Sequence, residues 1–321
     1  MNTEIQTTEN VETAKSQLAL QGYALIEGVL DNREVEALRD VMEEIFEHER
    51  QNPYDPGDGQ ALPDDDVMEK YIRESYSTTS KQELARVMRL IRHTREENHH
   101  TPWPVPPDQV MKLFWHRPQF EHDDKTQFVN HLPVKGRLFE KLAEHPTVLA
   151  LARSVLGNDC VLSEMGGNKI GPQTSGGPWH VDVPLGQLPE PLPDFPLSTQ
   201  NVFMLDDFVP ENGATRLVPA SHLRRKKPTW ANKAMDDEVV MAAPAGSMAI
   251  WLSNTWHRVG PNTTNRPRRA ILSYYTRCWI KPFADSRPMV TPEMAQRFSP
   301  TLRYLLGFSA HGICRGQPAG R

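Results

Sequence analysis

The second half of the chain carries the pattern that most restricts its fold. From Asp159 onward, short apolar segments typical of β-strands alternate with loops rich in Gly, Pro and Asn. Many short strands joined in this way are typical of a double-sheet jelly roll, which leaves few sheet edges exposed. We therefore predict a mainly β protein with a jelly-roll core and flanking helices. The predicted strands are Val161–Met165, Asn201–Leu205, Arg216–Val218, Gly246–Trp251 and Arg269–Thr276.

Two helices before this region have clear start and stop signals. Asp31 is followed three residues later by Glu34, which is a capping-box arrangement, and apolar residues then repeat at helical spacing. Pro146 suits the first turn of a second helix. This helix should end near Leu156, because Gly157 is a natural residue just beyond a helix C-terminus.

Residues 51–130 interrupt this order of elements. The segment 51–66 is rich in Pro, Gly and Asp and predicts a loop, whereas apolar spacing over 80–92 predicts a helix. Four prolines in 101–107 prevent that helix from continuing. Without a repeat or an interdomain linker, we expect residues 1–321 to form a single domain, with 51–130 as a capping insertion that shapes the substrate entrance.

The composition excludes several classes of protein. A net charge of −5 argues against a dedicated nucleic-acid binder, which normally has a basic face. Apolar runs are shorter than the roughly 18 residues that a membrane-spanning helix needs. The polar N-terminus does not look like a signal peptide. The three cysteines are widely spaced, which favours reduced thiols over disulfides. We expect a cytoplasmic enzyme without nucleic-acid or membrane partners.

Three residues of the strand-rich half have the chemistry of a metal site. His180 and Asp182 are separated by one residue, so on a strand both side chains would lie on the same face. His257, from a later strand, would complete a set of two histidines and one carboxylate. Such a set binds Fe(II) on one face and leaves the other face open. Arg268 follows His257 by eleven residues, a spacing that suits a guanidinium holding the carboxylate of a bound oxoacid.

Each of these residues has a competitor nearby. His122-Asp123-Asp124 repeats the His-x-Asp pattern, but its charged surroundings are typical of a solvated turn. Arg269 should point to the opposite face of the strand if Arg268 points inward. Arg266 precedes a proline and should lie in the turn before the strand. We therefore select His180, Asp182, His257 and Arg268.

Several longer segments resemble the phytanoyl-CoA dioxygenase family, a branch of the iron/2-oxoglutarate oxygenases. Together they cover most of the chain, and they are specific as a set. These segments are Gly22–Leu30, His145–Leu149, Leu205–Arg216, His257–Asn262 and Arg266–Ala270. The resemblance implies a cupin-like double-stranded β-helix with iron at its mouth.

The resemblance also implies the roles of individual residues. His180, Asp182 and His257 correspond to the Fe(II) ligands, and Arg268 corresponds to the arginine that binds the distal carboxylate of 2-oxoglutarate. The implied reaction uses O2, releases succinate and CO2, and hydroxylates or desaturates a small-molecule metabolite. Because Asp182 is present, halogenation is disfavoured. Three further positions look like walls of the co-substrate pocket or inward-facing neighbours: Met165, Asn168 and Gln200.

The chain departs from the family pattern at two places. Val259 stands where many members have a small hydroxyl residue two places after the distal histidine, so one hydrogen bond to the co-substrate is either missing or supplied by another residue. Pro184-Leu185-Gly186 replaces the aromatic residue that some members have after the His-x-Asp tripeptide. The 51–130 insertion is not a recognisable family feature, which argues against phytanoyl-CoA itself as the substrate.

Two other classes of function remain open at this point. A two-histidine, one-carboxylate site can also hold zinc, so a cupin-type dioxygenase or a hydrolase without an oxoacid is an alternative. A jelly-roll binding protein that has lost catalysis is another. Arg268 favours the use of an oxoacid, because only an oxoacid user needs a buried arginine there. The sequence is compatible with a monomer or a homodimer.

Overall fold

A computed structural model describes residues 7–8, 10–51, 62–76, 119–120, 125–182, 185–229 and 233–308, together with isolated helical positions between 81 and 92. The chain divides into two compact units. The first combines Met1–Ile45 with Glu121–Arg321, and the second is Phe46–Phe120. The second unit overlaps most of the predicted insertion, whose capping role stays a prediction.

The helices begin and end where local signals indicate. Asp31 accepts hydrogen bonds from the amides of Arg33 and Glu34, and the Glu34 carboxylate accepts one from the Asp31 amide, which confirms the capping box. The second predicted helix spans Pro146–Leu156, as expected. The helices are α1 Val11–Gln21, α2 Asn32–Gln51, α3 Asp65–Tyr76, α4 Arg137–Ala143, α5 Pro146–Leu156, α6 Pro292–Arg297 and α7 Pro300–Leu305.

The second unit has a small apolar core of its own. Met68 and Ile72 of α3 pack with Leu84 and Ile91, and all four side chains are buried. The described positions between 81 and 92 are helical, in agreement with the predicted helix there. The two-residue strand β3 Gln119–Phe120 closes this unit in sequence.

The strands of the first unit form a large sheet and a small one. The large sheet runs in the order β1-β2-β9-β6-β11-β5-β4, and the small sheet in the order β10-β7-β8. All pairings are antiparallel except β1 with β2. The strands are β1 Thr7–Thr8, β2 Tyr23–Ile26, β4 Gln127–Val129, β5 Val161–Ile170, β6 Ser198–Met204, β7 Thr215–Leu217, β8 Val239–Val240, β9 Met248–Leu252, β10 His257–Val259 and β11 Arg268–Thr276.

The main apolar core lies between the two sheets. It joins inward residues of the large sheet, such as Val202 and Trp251, to residues of the small sheet and its loops, such as Leu217 and Phe208. Burial of these side chains removes a large apolar area from water, which drives the two sheets together. The arrangement of two antiparallel sheets around one core agrees with the predicted jelly roll.

Helices cover the outer face of the large sheet. The Tyr275 hydroxyl on β11 donates to the Ala143 carbonyl of α4, and Phe203 of β6 packs edge-on against His145. Both faces of the large sheet are therefore covered, and every residue of β6 except the half-buried Gln200 is buried. Among the residues that the structure describes, helix exceeds strand, at 37% against 22%, so the prediction of a mainly β protein was too strong. Within the described residues, no helix is long and apolar enough to cross a membrane.

Candidate metal and co-substrate site

Backbone hydrogen bonds bring the three predicted metal ligands together. His180 and His257 form an antiparallel bridge in which each amide donates to the other's carbonyl, at 3.0 and 3.1 Å. The Asp182 amide donates to the Ser253 carbonyl at 2.9 Å. His257 begins β10, whereas His180 and Asp182 lie outside regular strands. His180 and Asp182 are thus placed on one side by single backbone hydrogen bonds to distant segments of the chain, and not by a continuous strand.

The side chains of these residues converge on one point. One ligand atom from each of His180, Asp182 and His257 lies within 4.8 Å of the others. The Nε2 atom of His257 is 3.3 Å from Oδ1 of Asp182, and the two imidazole centroids are 4.3 Å apart. The second carboxylate oxygen of Asp182 is buried and has no hydrogen-bond partner among the described residues. A buried, unpartnered carboxylate oxygen beside two imidazoles is the donor set of a metal site.

Backbone carbonyls orient both imidazole rings. Nδ1 of His180 lies 2.9 Å from the Pro178 carbonyl, and Nδ1 of His257 lies 2.8 Å from the Thr255 carbonyl. A carbonyl can only accept, so each Nδ1 carries a proton and each Nε2 presents a lone pair. Metal-binding histidines are commonly held in this tautomer by such a second contact.

The electrostatics of the two histidines differ. Burial lowers the pKa of His180 to about 4, and the neighbouring His257 acts in the same direction. This keeps His180 neutral and ready to bind a metal. Burial alone would also lower the pKa of His257, but the Asp182 carboxylate and the Thr255 carbonyl outweigh burial and raise it. A metal cation between Nε2 of His257 and the Asp182 carboxylate would take the place of the proton that Nε2 gains when His257 is protonated.

Arg268 lies at the start of β11 and is almost completely buried, with 1% of its surface exposed. Its guanidinium donates to the Asn168 side-chain oxygen at 3.2 Å and to the Gly213 carbonyl at 2.5 Å, and it stacks 4.2 Å from the Phe208 ring centroid. Its Nε has no partner among the described residues. Burial lowers the pKa of Arg268 to about 9, and the charge of Asp206 opposes this shift, so the group stays charged at neutral pH. No carboxylate among the described residues forms an ion pair with it. A bound dicarboxylate would supply the missing counter-charge.

The other two arginines are placed as the sequence predicted. Arg269 points to the outer face of β11, where it forms a two-pronged pair with Asp206 at 2.8 and 2.9 Å. Arg266 is exposed in the turn before β11. The competing His122-Asp123-Asp124 copy lies outside the described residues.

A row of inward-facing residues crosses the large sheet beside the metal ligands. Strand register aligns Glu164 with Tyr274, Tyr274 with Gln200, and Gln200 with Trp251. Trp251 packs 5.1 Å from the His257 ring centroid. Glu164 and Gln200 are both half-buried on this inner face. Gln200 lies between two paired strands, β9 and β11, whereas at Glu164 strand β5 is paired with β11 and lies beyond the residues that pair with β4. Both side chains therefore face the space between the sheets where that space is open to solvent.

The predicted wall positions have different outcomes. Asn168 accepts a hydrogen bond from Arg268 and lies on the same inner face of the large sheet. Gln200 faces inward on β6, as predicted. Met165 is buried and pairs with Ser273. It lies four residues before Lys169 on β5, so both side chains point to the same face of the sheet. Lys169 forms an ion pair with Glu43 of α2, which identifies this face as the outer one. The prediction for Met165 is therefore corrected. Residues three apart on a strand point to opposite faces, so Met165 and Asn168 cannot both line the pocket.

Sequence reasoning missed two polar residues of the pocket. Glu164 precedes Met165 and faces inward. It lies four residues before Asn168, and residues four apart on a strand point to the same face, so the sequence could have identified it. Thr215 pairs with Val259, and on the same face Leu217 pairs with His257. Thr215 thus places a buried hydroxyl next to the residue where the expected hydroxyl is missing. No signal in the sequence reveals this neighbour, because the pairing joins two distant strands.

The chain matches one known protein family over most of its length. The family described as phytanoyl-CoA dioxygenase (PhyH) matches residues 18–270. A relative named dioxygenase af480 from Aspergillus fumigatus is 30% identical over 188 residues, which cover 57% of this chain and 59% of the relative. The uncharacterized protein Rv1501 from Mycobacterium tuberculosis is 30% identical over 154 residues, or 46% of this chain and 54% of that protein. The chain thus matches less than two thirds of the length of these curated relatives.

Solved structures share the fold at low sequence identity. The carbocyclase SnoK from nogalamycin biosynthesis, described as a non-heme, alpha-ketoglutarate-dependent enzyme, has a TM-score of 0.51 and 18% identity, with coverage of 89% of this chain and 93% of that one. AviO1 from Streptomyces viridochromogenes also has a TM-score of 0.51, with 17% identity and coverage of 86% and 99%. Identities this low establish a common fold only.

Proposed function

Because the chain belongs to the phytanoyl-CoA dioxygenase family, we propose that it is an Fe(II)- and 2-oxoglutarate-dependent oxygenase. The proposed reaction hydroxylates or desaturates a small-molecule substrate and releases succinate and CO2. One observation carries the proposal: His180, Asp182 and His257 converge within 4.8 Å, and a buried Arg268 lies between the same two sheets with no ion-pair partner among the carboxylates that the structure describes.

The residues of the site fit a mononuclear iron centre. His180 and His257 would bind through Nε2, since both Nδ1 atoms face carbonyls, and Asp182 would bind through its carboxylate. When bound, Fe(II) supplies the chemistry that couples O2 reduction to decarboxylation of 2-oxoglutarate and oxidation of the substrate. The carboxylate of Asp182 fills the position that a halide would need, so oxygenation is favoured over halogenation.

Arg268 and its neighbours would hold the far end of 2-oxoglutarate. A guanidinium offers paired donors that match a carboxylate in geometry and charge, and Nε of Arg268 has no other partner among the described residues. Asn168 and Gly213 fix the side chain in place through the other nitrogens. Thr215 would supply the hydroxyl hydrogen bond that Val259 cannot make. The mutation Thr215→Val should raise the 2-oxoglutarate concentration needed for half-maximal turnover, whereas Thr215→Ser should not.

The pocket walls keep the site dry and ordered. Trp251 packs against His257, and the Tyr274 hydroxyl is 2.7 Å from the Ser198 hydroxyl. Burial and the nearby Asp182 carboxylate raise the pKa of Tyr274 well above its ordinary value, so Tyr274 remains a neutral hydrogen-bonding group. These contacts would orient the ligands and exclude water from the reacting groups.

Uncoupled turnover tests this proposal without knowledge of the substrate. The purified protein, incubated aerobically with 2-oxoglutarate, should form succinate when Fe(II) is present and none when Zn(II) replaces it. Succinate can be quantified by proton NMR. His257→Ala should remove the activity, and Arg269→Lys, on the outer face of the same strand, is the matched control for Arg268→Lys. Iron binding without succinate in the wild type would favour a metal enzyme that uses no oxoacid. A protein that binds no metal would favour a non-catalytic binding protein.

A further inference from the structure

Glu164 is a carboxyl group inside the pocket that the proposed chemistry does not use. It lies on β5, directly across from Tyr274 of β11 and on the inner face of the large sheet. Tyr274 in turn lies close enough to Asp182 for that carboxylate to influence its ionisation. Glu164 therefore faces the space beside the metal ligands.

The position of Glu164 excludes a role in binding 2-oxoglutarate at Arg268. Arg268 pairs with Ile170, six residues further along β5, which corresponds to about 20 Å at about 3.3 Å per residue. A five-carbon dicarboxylate held by Arg268 cannot reach across that distance to Glu164. The carboxyl group of Glu164 also could not bind an anion without repulsion. It therefore faces the part of the pocket that remains for the substrate.

Glu164 has no partner in the described structure. Glu164 forms no hydrogen bond or ion pair with the described residues. Burial raises its pKa to about 7, and no neighbouring charge contributes to this shift. Buried carboxylates are normally paired with a cation or with several donors. A carboxyl that is half-buried in a pocket and unpaired is incomplete until a ligand supplies the partner.

The summed charges of the site with Fe(II) and 2-oxoglutarate bound indicate the charge of the ligand that would pair with Glu164. The charges of Fe(II) and 2-oxoglutarate would cancel, and Arg268 would cancel Asp182. Ionised Glu164 then leaves one uncompensated negative charge at a half-buried position, where an opposite charge interacts more strongly than in bulk water. A substrate with a protonated amine restores neutrality, and an anionic substrate does not.

We propose that Glu164 recognises a protonated amine on the substrate, and that the enzyme therefore acts on amine-bearing small molecules. This inference rests on the proposed oxygenase function, because the iron site defines which part of the pocket is left for the substrate. The carboxylate would accept hydrogen bonds from the ammonium group and orient the neighbouring carbon skeleton toward the metal ligands. Glu164 thus determines specificity and takes no part in the redox chemistry.

Three small probes of equal chain length test the proposal: n-hexylammonium, hexan-1-ol and hexanoate. Their affinities are measured by calorimetry with the full chain loaded anaerobically with Fe(II) and 2-oxoglutarate. In the wild type, hexylammonium should bind at least about tenfold more tightly than hexanol, and hexanoate more weakly still. Glu164→Gln should lower the hexylammonium affinity by about tenfold and leave the hexanol affinity unchanged. Glu36→Gln, which removes one negative charge from the exposed face of α2, should change neither.

The measurements distinguish a failure of the Glu164 proposal from a failure of the oxygenase proposal on which it rests. The Fe(II)/2-oxoglutarate charge-transfer band is recorded in each protein before the probes are added. A wild type without this band contradicts the oxygenase proposal. A normal band in wild type and Glu164→Gln, with equal hexylammonium affinity in both or with no hexylammonium binding to the wild type, overturns the role of Glu164 alone.

Discussion

Glu164→Gln should change how the stability of this protein depends on pH. The mutation removes the titrating group and keeps the size and shape of the side chain. Burial raises the pKa of Glu164 from an ordinary value of 4.5 to about 7. Between these pH values the folded wild type holds a proton that the unfolded chain releases. The stabilisation from this proton is complete below pH 4.5 and is lost as the pH rises through 7.

The size of the effect follows from the same two values. Their difference of about 2.5 pH units corresponds to at most about 3.5 kcal/mol, at about 1.4 kcal/mol for each pH unit. Water in the pocket reaches the half-buried side chain and weakens the effect, so we expect about 1 to 2 kcal/mol. The amide that Glu164→Gln introduces has no proton to lose in this pH range, so the variant avoids this destabilisation.

Urea unfolding at pH 5 and pH 8 measures this difference. From pH 5 to pH 8, the free energy of unfolding of the wild type should fall by about 1 to 2 kcal/mol relative to that of Glu164→Gln. The exposed control Glu36→Gln should follow the wild type at both pH values. Parallel pH dependences of wild type and Glu164→Gln would refute the placement of an unpaired, buried carboxyl at this position.

Three further predictions test other parts of the structure. Arg268→Lys should raise the 2-oxoglutarate concentration for half-maximal succinate formation by about 30-fold or more, because lysine cannot replace the paired donors; unchanged kinetics would exclude Arg268 as the anchor. His257→Ala should abolish iron-dependent succinate formation and His122→Ala should not, and the reverse result would move the metal site to the other His-x-Asp copy. Gly22→Ala should lower the free energy of unfolding by about 2 kcal/mol or more, since φ is +81° and the added carbon would lie 2.5 Å from the Thr255 hydroxyl oxygen; a wild-type urea midpoint would contradict this.

Local signals were sufficient for much of the fold. The Asp31–Glu34 capping box and the Pro146 and Gly157 boundaries depend only on neighbours along the chain, and the structure has both helices where these signals predict them. β11 was predicted to within one residue, because its apolar and aromatic side chains make a long strand signal. These features require no knowledge of tertiary contacts.

Local sequence signals could not identify which residues of β5 face inward. β5 is buried on both faces, so hydrophobicity does not distinguish inside from outside, and Met165 was assigned to the wrong face. The pairing with β11 shifts between Tyr274 and Tyr275, an irregularity that is also invisible in the sequence. The partner strand decides which face is the pocket, and Glu164 emerges only from that pairing.

The metal residues were identifiable for a different reason. Their residue types and order carry the chemistry, so His180, Asp182 and His257 could be selected without their geometry. The means of holding them together was not predictable: His180 bridges His257, and Asp182 is fixed by Ser253, through single backbone hydrogen bonds between distant segments. Thr215 beside Val259 is likewise a consequence of strand register.

Anaerobic addition of Fe(II) and then 2-oxoglutarate probes whether His180, Asp182, His257 and Arg268 form one iron and 2-oxoglutarate site. The visible spectrum should show a weak charge-transfer band that requires both additions and is lost in Asp182→Ala. The band should need a much higher 2-oxoglutarate concentration in Arg268→Lys and the wild-type concentration in Arg269→Lys. Iron binding without any band in the wild type would contradict the account, because the three ligands would then hold a metal that does not bind 2-oxoglutarate.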